Sequence, residues 1–310
     1  MNGGVILVKF KAWIFLLLCN LFWSGNMIVG KLVTNYFPPI WMVSIRWFIA
    51  FLFLFPLAYF IEKPNWLKII KENYVVLLFM SITGTFVYNW ATYVALQYTT
   101  SLNASLISAL NPAMIMIFSF FISKTKIKKI QVLGLIISFI GVLLVITKGK
   151  PFLAIQLDYN IGDAFMIMCV IIWGIYSVIG KKATHIPPIT TIAITAFFGF
   201  LATIPFLIIV PLDFSELTSA PILGIIFIGV FPSFLSFLIW NIGNRILTPA
   251  VAGLSLNSLC IFTVIINFII GEQILISQII GGIIIITGIF LSSGLDLNYI
   301  RDKNKTVKTL

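Results

Sequence analysis

Apolar runs of about 20 residues recur ten times along this chain, and a helix of that length crosses the hydrocarbon core of a bilayer. Inside lipid the backbone amides find no water. A spanning segment must therefore satisfy them itself, as a helix does, or close into a barrel. A barrel would show alternating segments of roughly 10 residues, and the sequence contains none. Hydrophobic residues make up 60% of the chain and charged residues 9%, against about 25% charged in a soluble domain. Most of this chain cannot face water. The fold expected is an all-α integral membrane protein with ten transmembrane helices, at 12–34, 40–60, 74–96, 101–122, 129–147, 161–181, 189–210, 219–241, 248–270 and 275–294.

Short connections leave no room for a soluble domain. Pro38-Pro39 and Pro187-Pro188 mark two of the turns, because proline lacks the amide that would continue a helix. Basic residues then set the threading, since cytoplasmic loops carry an excess of Lys and Arg. With the N-terminus in the cytoplasm, that side receives Lys9, Lys11, Lys63, Lys68, Lys71, Lys124, Lys126, Lys128, Lys129, Lys181, Lys182, Arg245, Arg301, Lys303, Lys305 and Lys308. The outer side receives Lys31, Lys148 and Lys150, and Arg46, within a span, completes the 20. A split of 16 to 3 predicts both termini in the cytoplasm and a cytoplasmic (inner) membrane location. The net charge of +11 is thereby explained by topology, and no nucleic-acid partner is expected.

Cys19, Cys169 and Cys260 all lie in apolar runs, which argues against a disulfide framework or a zinc cluster. The single histidine, His185, sits in a short polar loop, so no metal site is expected. Lys9 and Lys11 followed by an apolar run resemble a signal peptide. The reading here is a retained first helix, because a matching segment recurs in mid-chain.

That recurrence divides the chain in two. Phe15, Cys19, Trp23, Gly30 and Lys31 correspond at an offset of 150 to Phe165, Cys169, Trp173, Gly180 and Lys181, and the proline pairs follow at 149. Gln131, Gly134, Ile136, Ile137, Gly141 and Leu144 correspond at 147 to Gln278, Gly281, Ile283, Ile284, Gly288 and Leu291. The expected units are a five-helix repeat over 12–148, a second over 159–295, and a basic cytoplasmic tail over 296–310. Five is odd, so the second repeat enters the membrane in the opposite sense. Inverted repeats suit a carrier, whose halves exchange conformations to open one central site alternately to each side.

The sequence resembles the drug/metabolite transporter superfamily, specifically the EamA-type branch with two five-helix repeats. The resemblance runs from about residue 12 to 295. It rests on Trp23, Gly25 and Lys31; on Arg46 within Ser44-Ile45-Arg46-Trp47-Phe48; on Ala95-Leu96-Gln97-Tyr98-Thr99-Thr100 and Asn111-Pro112; and on Gly271-Glu272 before Gln278, Gly281-Gly282 and Gly288. It departs from the family pattern at Ser123-Lys124-Thr125, in place of Gly-Glu, and at Ser258-Leu259, in place of a proline. The resemblance implies an exporter or exchanger of small organic metabolites.

Polar side chains within spans are the site candidates, since a lipid-facing polar group is costly. The substrate-pathway set is Asn26, Tyr88, Asn89, Tyr93, Asn111, Tyr176, Asn241 and Asn257, with Thr92, Asn103, Ser236, Trp240 and Asn244 nearby in sequence. They read either as a cavity of rings and amides suited to a neutral or zwitterionic solute, or as interhelical hydrogen bonds. Asn89, Tyr93, Tyr176 and Asn241 are expected to meet in one central cavity, Tyr93 and Asn241 being matched at an offset of 148. Three charged residues are candidates as well. Arg46 reads as an anion-binding group or as a structural one, and its recurrence in the resembled family favours the structural role. Glu272 reads as stabilising the turn after the ninth span, and Asp163 as complementing a helix N-terminus. Gly134, Gly141, Gly281, Gly282 and Gly288 read as close helix contacts, and Trp41 and Trp66 as interfacial belt residues.

Three function classes remain. A secondary carrier of small metabolites, such as amino acids or related solutes, fits best. A membrane-embedded enzyme lacks a catalytic histidine, paired carboxylates or a serine-nucleophile motif. A non-transporting scaffold has no need of matched polar faces. The expected partners are the lipid bilayer and a small-molecule substrate, with a coupling ion left open and no cofactor. No acidic residue lies in mid-membrane, so proton coupling through the described candidates would fall to Asp163 or Glu272.

Overall fold

The computed structural model describes residues 3–99, 101–155, 160–213, 215 and 217–292, and the basic tail expected at 296–310 lies outside them. Ten helices follow in order: α1 (Leu7–Val33), α2 (Pro39–Ile61), α3 (Trp66–Tyr98), α4 (Leu106–Ser123), α5 (Lys129–Ile146), α6 (Ile161–Ala183), α7 (Pro188–Ile209), α8 (Ser219–Ile246), α9 (Pro249–Ile270) and α10 (Ile276–Ser292). Among the described residues the first nine are long and apolar enough to cross a membrane, and α10 is an apolar helix of 17 residues. The chain is therefore a multi-pass, all-helical membrane protein.

Helix runs beyond the expected spans at three places, one of them the start of α1, at Leu7 rather than 12. A short helical segment from Trp66, capped by Asn65 accepting from the Lys68 amide at 3.1 Å, precedes the span expected from 74, which starts just after a kink at Asn73. The break in the apolar pattern at Lys68, Lys71 and Glu72 is matched in the backbone: Asn73 leaves helical geometry at φ −127° and ψ 15°, so two helical segments meet there. α8 continues past 241 to Ile246. Asn241 and Asn244 look like the polar end of a span, yet both are buried and bonded to α6. The start of α4 is less regular than expected: a short helix, Ser101–Ser108, breaks before Asn111-Pro112.

Contacts between helix ends agree with alternating threading. On one face Lys31, near the end of α1, donates to the Leu96 carbonyl near the end of α3, and Thr99 donates to Asp163 at the start of α6. On the other face Lys181, at the end of α6, donates to the Arg245 carbonyl at the end of α8 at 3.3 Å. Glu62, just past α2, accepts from the Ile189 and Thr190 amides at 3.0 and 2.7 Å at the start of α7. Carboxylates suit that position because the first amides of a helix have no partner of their own.

α3 and α8 each contain a widened π-helical stretch, Ser81–Val87 and Gly229–Leu235, and the two are 148 residues apart. A π turn shifts the backbone bonding pattern, and such turns cluster at functional sites. Here side chains take up the shifted carbonyls. Asn89 Nδ2 donates to the Gly84 and Thr85 carbonyls at 2.9 Å each, and Ser233 Oγ donates to the Ile228 carbonyl at 2.7 Å.

α5 and α10 cross at glycines. A methyl added to Gly134 would lie 2.4 Å from the Gly288 carbonyl oxygen, and one on Gly141 would lie 2.7 Å from that of Gly281. Four of the five glycines named from the sequence are thus close backbone contacts. Gly282 is not, since its nearest neighbour would be Ile261 at 4.0 Å. Trp41 donates to the Val210 carbonyl at 2.8 Å, and Trp66 stacks on Phe55 at 5.1 Å.

Candidate functional site

A cavity forms where α1, α2, α3, α6, α8 and α9 meet the segment leading into α4. It measures about 60 Å³ as space open to the centre of a water-sized sphere. Since one water needs about 10–15 Å³ on that measure, several fit. Arg46 is the eighth residue of α2, about 10 Å along a helix rising 1.5 Å per residue. The cavity is thereby displaced toward the face that carries Asp163.

Of the residues singled out in the sequence, Asn26, Arg46, Tyr88, Asn89 and Asn111 line this cavity, together with Thr92. Tyr93 lies behind the wall, fully buried. Its hydroxyl accepts from Arg46 Nη1 at 2.7 Å and donates to Asn26 Oδ1 at 2.9 Å. Arg46 Nε donates to Ser233 Oγ at 2.7 Å. The guanidinium also lies over the Trp47 and Tyr93 rings, 5.6 and 5.5 Å from their centroids.

Tyr176 and Asn241 are elsewhere. They bond each other, Asn241 Nδ2 donating to the Tyr176 hydroxyl at 3.3 Å. An aromatic plug separates this pair from the cavity. Trp173 sits 5.1 Å from Trp23, 5.4 Å from Trp240, 5.7 Å from Phe237 and 5.1 Å from Tyr176 between ring centroids, and Phe237 packs edge-on to Trp47 at 4.7 Å. The four residues expected in one cavity therefore divide into one cavity residue, one residue behind its wall and a pair beyond the plug. The matched pair Trp23 and Trp173, with Trp240, Phe237 and Trp47 packed around them, fills the space between those groups.

Past the plug, Arg245 closes the far end. It donates to the carbonyls of Ala183, Thr184 and Ile186 and to Thr191 Oγ1, at 3.2, 3.3, 2.5 and 3.0 Å. The remaining candidates are structural in position. Asn257 donates to Ser138 Oγ at 2.7 Å, joining α9 to α5. Asp163 accepts from Thr99, from Asn103 Nδ2 at 3.2 Å and from the Asn160 amide at 2.7 Å, closing a capping box on α6. Glu272 is exposed and accepts from Asn267 Nδ2 at 3.2 Å, just after Gly271 ends α9 in a left-handed turn. Among the described residues no group of three His, Cys, Asp or Glu side chains is placed to hold a metal.

Comparison with known proteins fits this picture. The model of the EamA-like transporter family matches residues 10–147 and again 160–294. The chain belongs to the EamA-like transporter family. It is 32% identical to the uncharacterized transporter YyaM of Bacillus subtilis (strain 168), over 91% of this chain and 93% of that one. It is 27% identical to the uncharacterized transporter YetK of the same organism, over 94% and 89%. A solved crystal structure aligns at a TM-score of 0.70 with 17% identity, covering 94% of this chain and 97% of its own, which shows the fold alone. As a member of the EamA-like transporter family the protein is a transporter in general terms.

Several wall residues escaped the sequence reading. Phe237, Leu256, Leu259, Cys260 and Thr263 line the cavity. Thr263 is polar within a span and fits the criterion used for the other candidates, whereas Phe237, Leu256 and Leu259, as apolar residues in apolar spans, carry no signal of their own. Trp23 and Trp173 did carry one, as a matched pair, though as markers of the repeat.

Proposed function

We propose that this protein is a secondary carrier, an exporter or exchanger of small organic metabolites such as amino acids or related solutes, working by alternating access through the central cavity. The reading takes 12–148 and 159–295 as two repeats related by a half-turn about an axis in the membrane plane, with both termini cytoplasmic. One observation carries it. Asn26 and Tyr93 form a hydrogen-bonded pair between α1 and α3, while the matched positions, Tyr176 and Asn241, form the same pair between α6 and α8 with residue types exchanged. The first pair borders the cavity, and the second lies shut behind the plug. Two equivalent devices in opposite states are what a two-repeat carrier interconverts.

Alternating access then has a physical description. Opening the far side means separating the rings of the plug and releasing Arg245 from the α6–α7 turn. The cavity closes as α1 and α3 meet Arg46 more tightly. The test is flux into proteoliposomes loaded with a defined mixture of metabolites. Purified protein should raise exchange of at least one solute class above empty vesicles. Vesicles with correctly inserted protein that move no solute from the mixture would sink the carrier reading.

A further inference from the structure

Arg46 is buried, at 2% exposure, within a membrane span, and among the described residues no carboxylate pairs with it. Three of the described carboxylates are used elsewhere: Asp163 at the start of α6, Glu62 at the start of α7, and Glu272 beside Asn267. A guanidinium has five N–H donors. Two of them are used, on the hydroxyls of Ser233 and Tyr93. Nη2 donates to no protein atom among the described residues, and the side chain forms part of the cavity wall.

The second repeat supplies an internal control. At the proline offset of 149, Arg46 matches Thr195, and at the π-helix offset of 148, Ser233 matches Thr85. Those two residues meet as well: Thr85 Oγ1 donates to the Thr195 carbonyl at 3.1 Å. The same helix crossing is therefore made once with a neutral threonine and once with a cation. Joining these helices does not require a charge. An unpaired charge in the membrane interior is costly to keep and marks a functional site.

Asn26 adds a second donor. Arg46 donates to the Tyr93 hydroxyl, so that hydroxyl donates onward, and Asn26 must meet it with its carbonyl oxygen. This leaves Asn26 Nδ2, on the same wall, without a protein acceptor among the described residues. The same cavity is also lined by the Trp173 and Phe237 rings and by Leu256, which give it large apolar surfaces beside these donors. Resting on the carrier reading above, we propose that Arg46, assisted by Asn26, is the anchor for the carboxylate of the transported solute, a small organic acid with an apolar or aromatic body. Arg–carboxylate pairs are short, charge-assisted and directional. The solute's charge would neutralise the wall while its body occupies the apolar side.

The experiment uses the full chain in proteoliposomes and a mixture of matched pairs: 3-phenylpropionate with its amide, isovalerate with its amide, and phenylalanine with its amide. The wild type should accumulate acids over the matched amides by at least about tenfold, the scale of one charge-assisted bond. Arg46→Gln should erase that preference, and Arg46→Lys should restore part of it. Should Arg46→Gln fail to insert, Asn26→Asp provides the test. Its carboxylate still accepts from Tyr93 and occupies the guanidinium, so the acid preference should fall while thermal stability holds. A wild type that moves amides as well as acids, or an Arg46→Gln or Asn26→Asp protein that keeps the preference, overturns the anchor and leaves the carrier intact. A wild type that moves nothing overturns the carrier reading itself.

Discussion

The seam between α5 and α10 treats the two halves of the chain as interchangeable, and the crossing of α2 with α8 does not. At the seam, Gly134 meets Gly288 and Gly141 meets Gly281. Since Gly134 matches Gly281 and Gly141 matches Gly288, exchanging the halves leaves the contact unchanged. At the other place, Arg46 against Ser233 on one side answers to Thr195 against Thr85 on the other. Where only packing is required, both repeats keep the same solution. Where the chemistry differs, the repeats have diverged, and the cavity lies on the side that holds the charge.

The equality of the seam gives the largest expected effect. A leucine at Gly141, or at its match Gly288, would drive a side chain into a backbone carbonyl that cannot move aside, that of Gly281 or of Gly134. Each substitution should cost about 3 kcal/mol, the upper end of the usual overpacking penalty. The two should agree within roughly 0.5 kcal/mol, about the spread seen for independent sites, while Gly282→Leu, facing Ile261 at 4.0 Å, should be nearly silent. Thermal melting in detergent measures all three. Unequal losses at Gly141 and Gly288 would break the equivalence where it is strongest.

The two ends differ next. Arg245 ties α8 to three carbonyls of the α6–α7 turn, whereas its match at an offset of 148 is Gln97, which is exposed. Hydrogen bonds from a charged donor contribute about 1.5–3 kcal/mol each. Arg245→Met should therefore shift the resting equilibrium toward opening at that end by at least about tenfold, which needs only about 1.4 kcal/mol of that contribution. With Cys19, Cys169 and Cys260 replaced by alanine, a cysteine at Asn241 should react with a water-soluble thiol reagent about tenfold faster once Arg245 is removed. Gln97→Met should leave the rate unchanged. An unaltered rate in Arg245→Met would mean that the plug alone holds this end.

A smaller difference separates the exchanged pairs. Tyr93→Phe removes a hydroxyl that serves both Arg46 and Asn26, while Asn241→Ala removes one long bond to Tyr176. Polar bonds between membrane helices average about 0.6 kcal/mol and reach about 1.7. The first substitution should fall near the upper figure and the second near the lower. Equal losses would show that the pairs are alike despite their different surroundings.

The helix number and the seam were legible in the sequence because both rest on simple regularities, apolar length and glycine spacing. Helix ends were less so. Lys68, Lys71 and Glu72 end an apolar pattern, yet a helical segment still precedes the kink at Asn73, and Asn241, Asn244 and Arg245 look like the exit of a span although they bond inside the bundle. In the site, Asn26, Tyr88, Asn89, Asn111 and Arg46 could be named from polarity alone. Which of them face open space could not, because bonding to a neighbouring helix and facing a cavity satisfy the same polar group equally well. The plug was hidden for another reason: Phe237 gains its role only from Trp23, Trp47 and Trp173 packing around it.

The smallest expected effect belongs to Thr195, the neutral match of Arg46, and it is the sharpest test of whether a charge is needed at this crossing. The Thr195 hydroxyl donates within its own helix to the Ile192 carbonyl at 3.2 Å, and its backbone carbonyl makes the contact with Thr85. Thr195→Val keeps that carbonyl and nearly the same shape, and the bond it loses is intrahelical and long. The loss should stay under about 0.6 kcal/mol, the mean for a polar bond in a membrane bundle, with flux unchanged because Thr195 lies outside the cavity wall. Arg46→Met, the corresponding removal of polarity in the first repeat, should keep the protein inserted and abolish its preference for acids. If Thr195→Val destabilised the protein as much as Arg46→Met, polar bonding at this position would be structural in both halves. The charge of Arg46 would then be a different way of joining the same two helices.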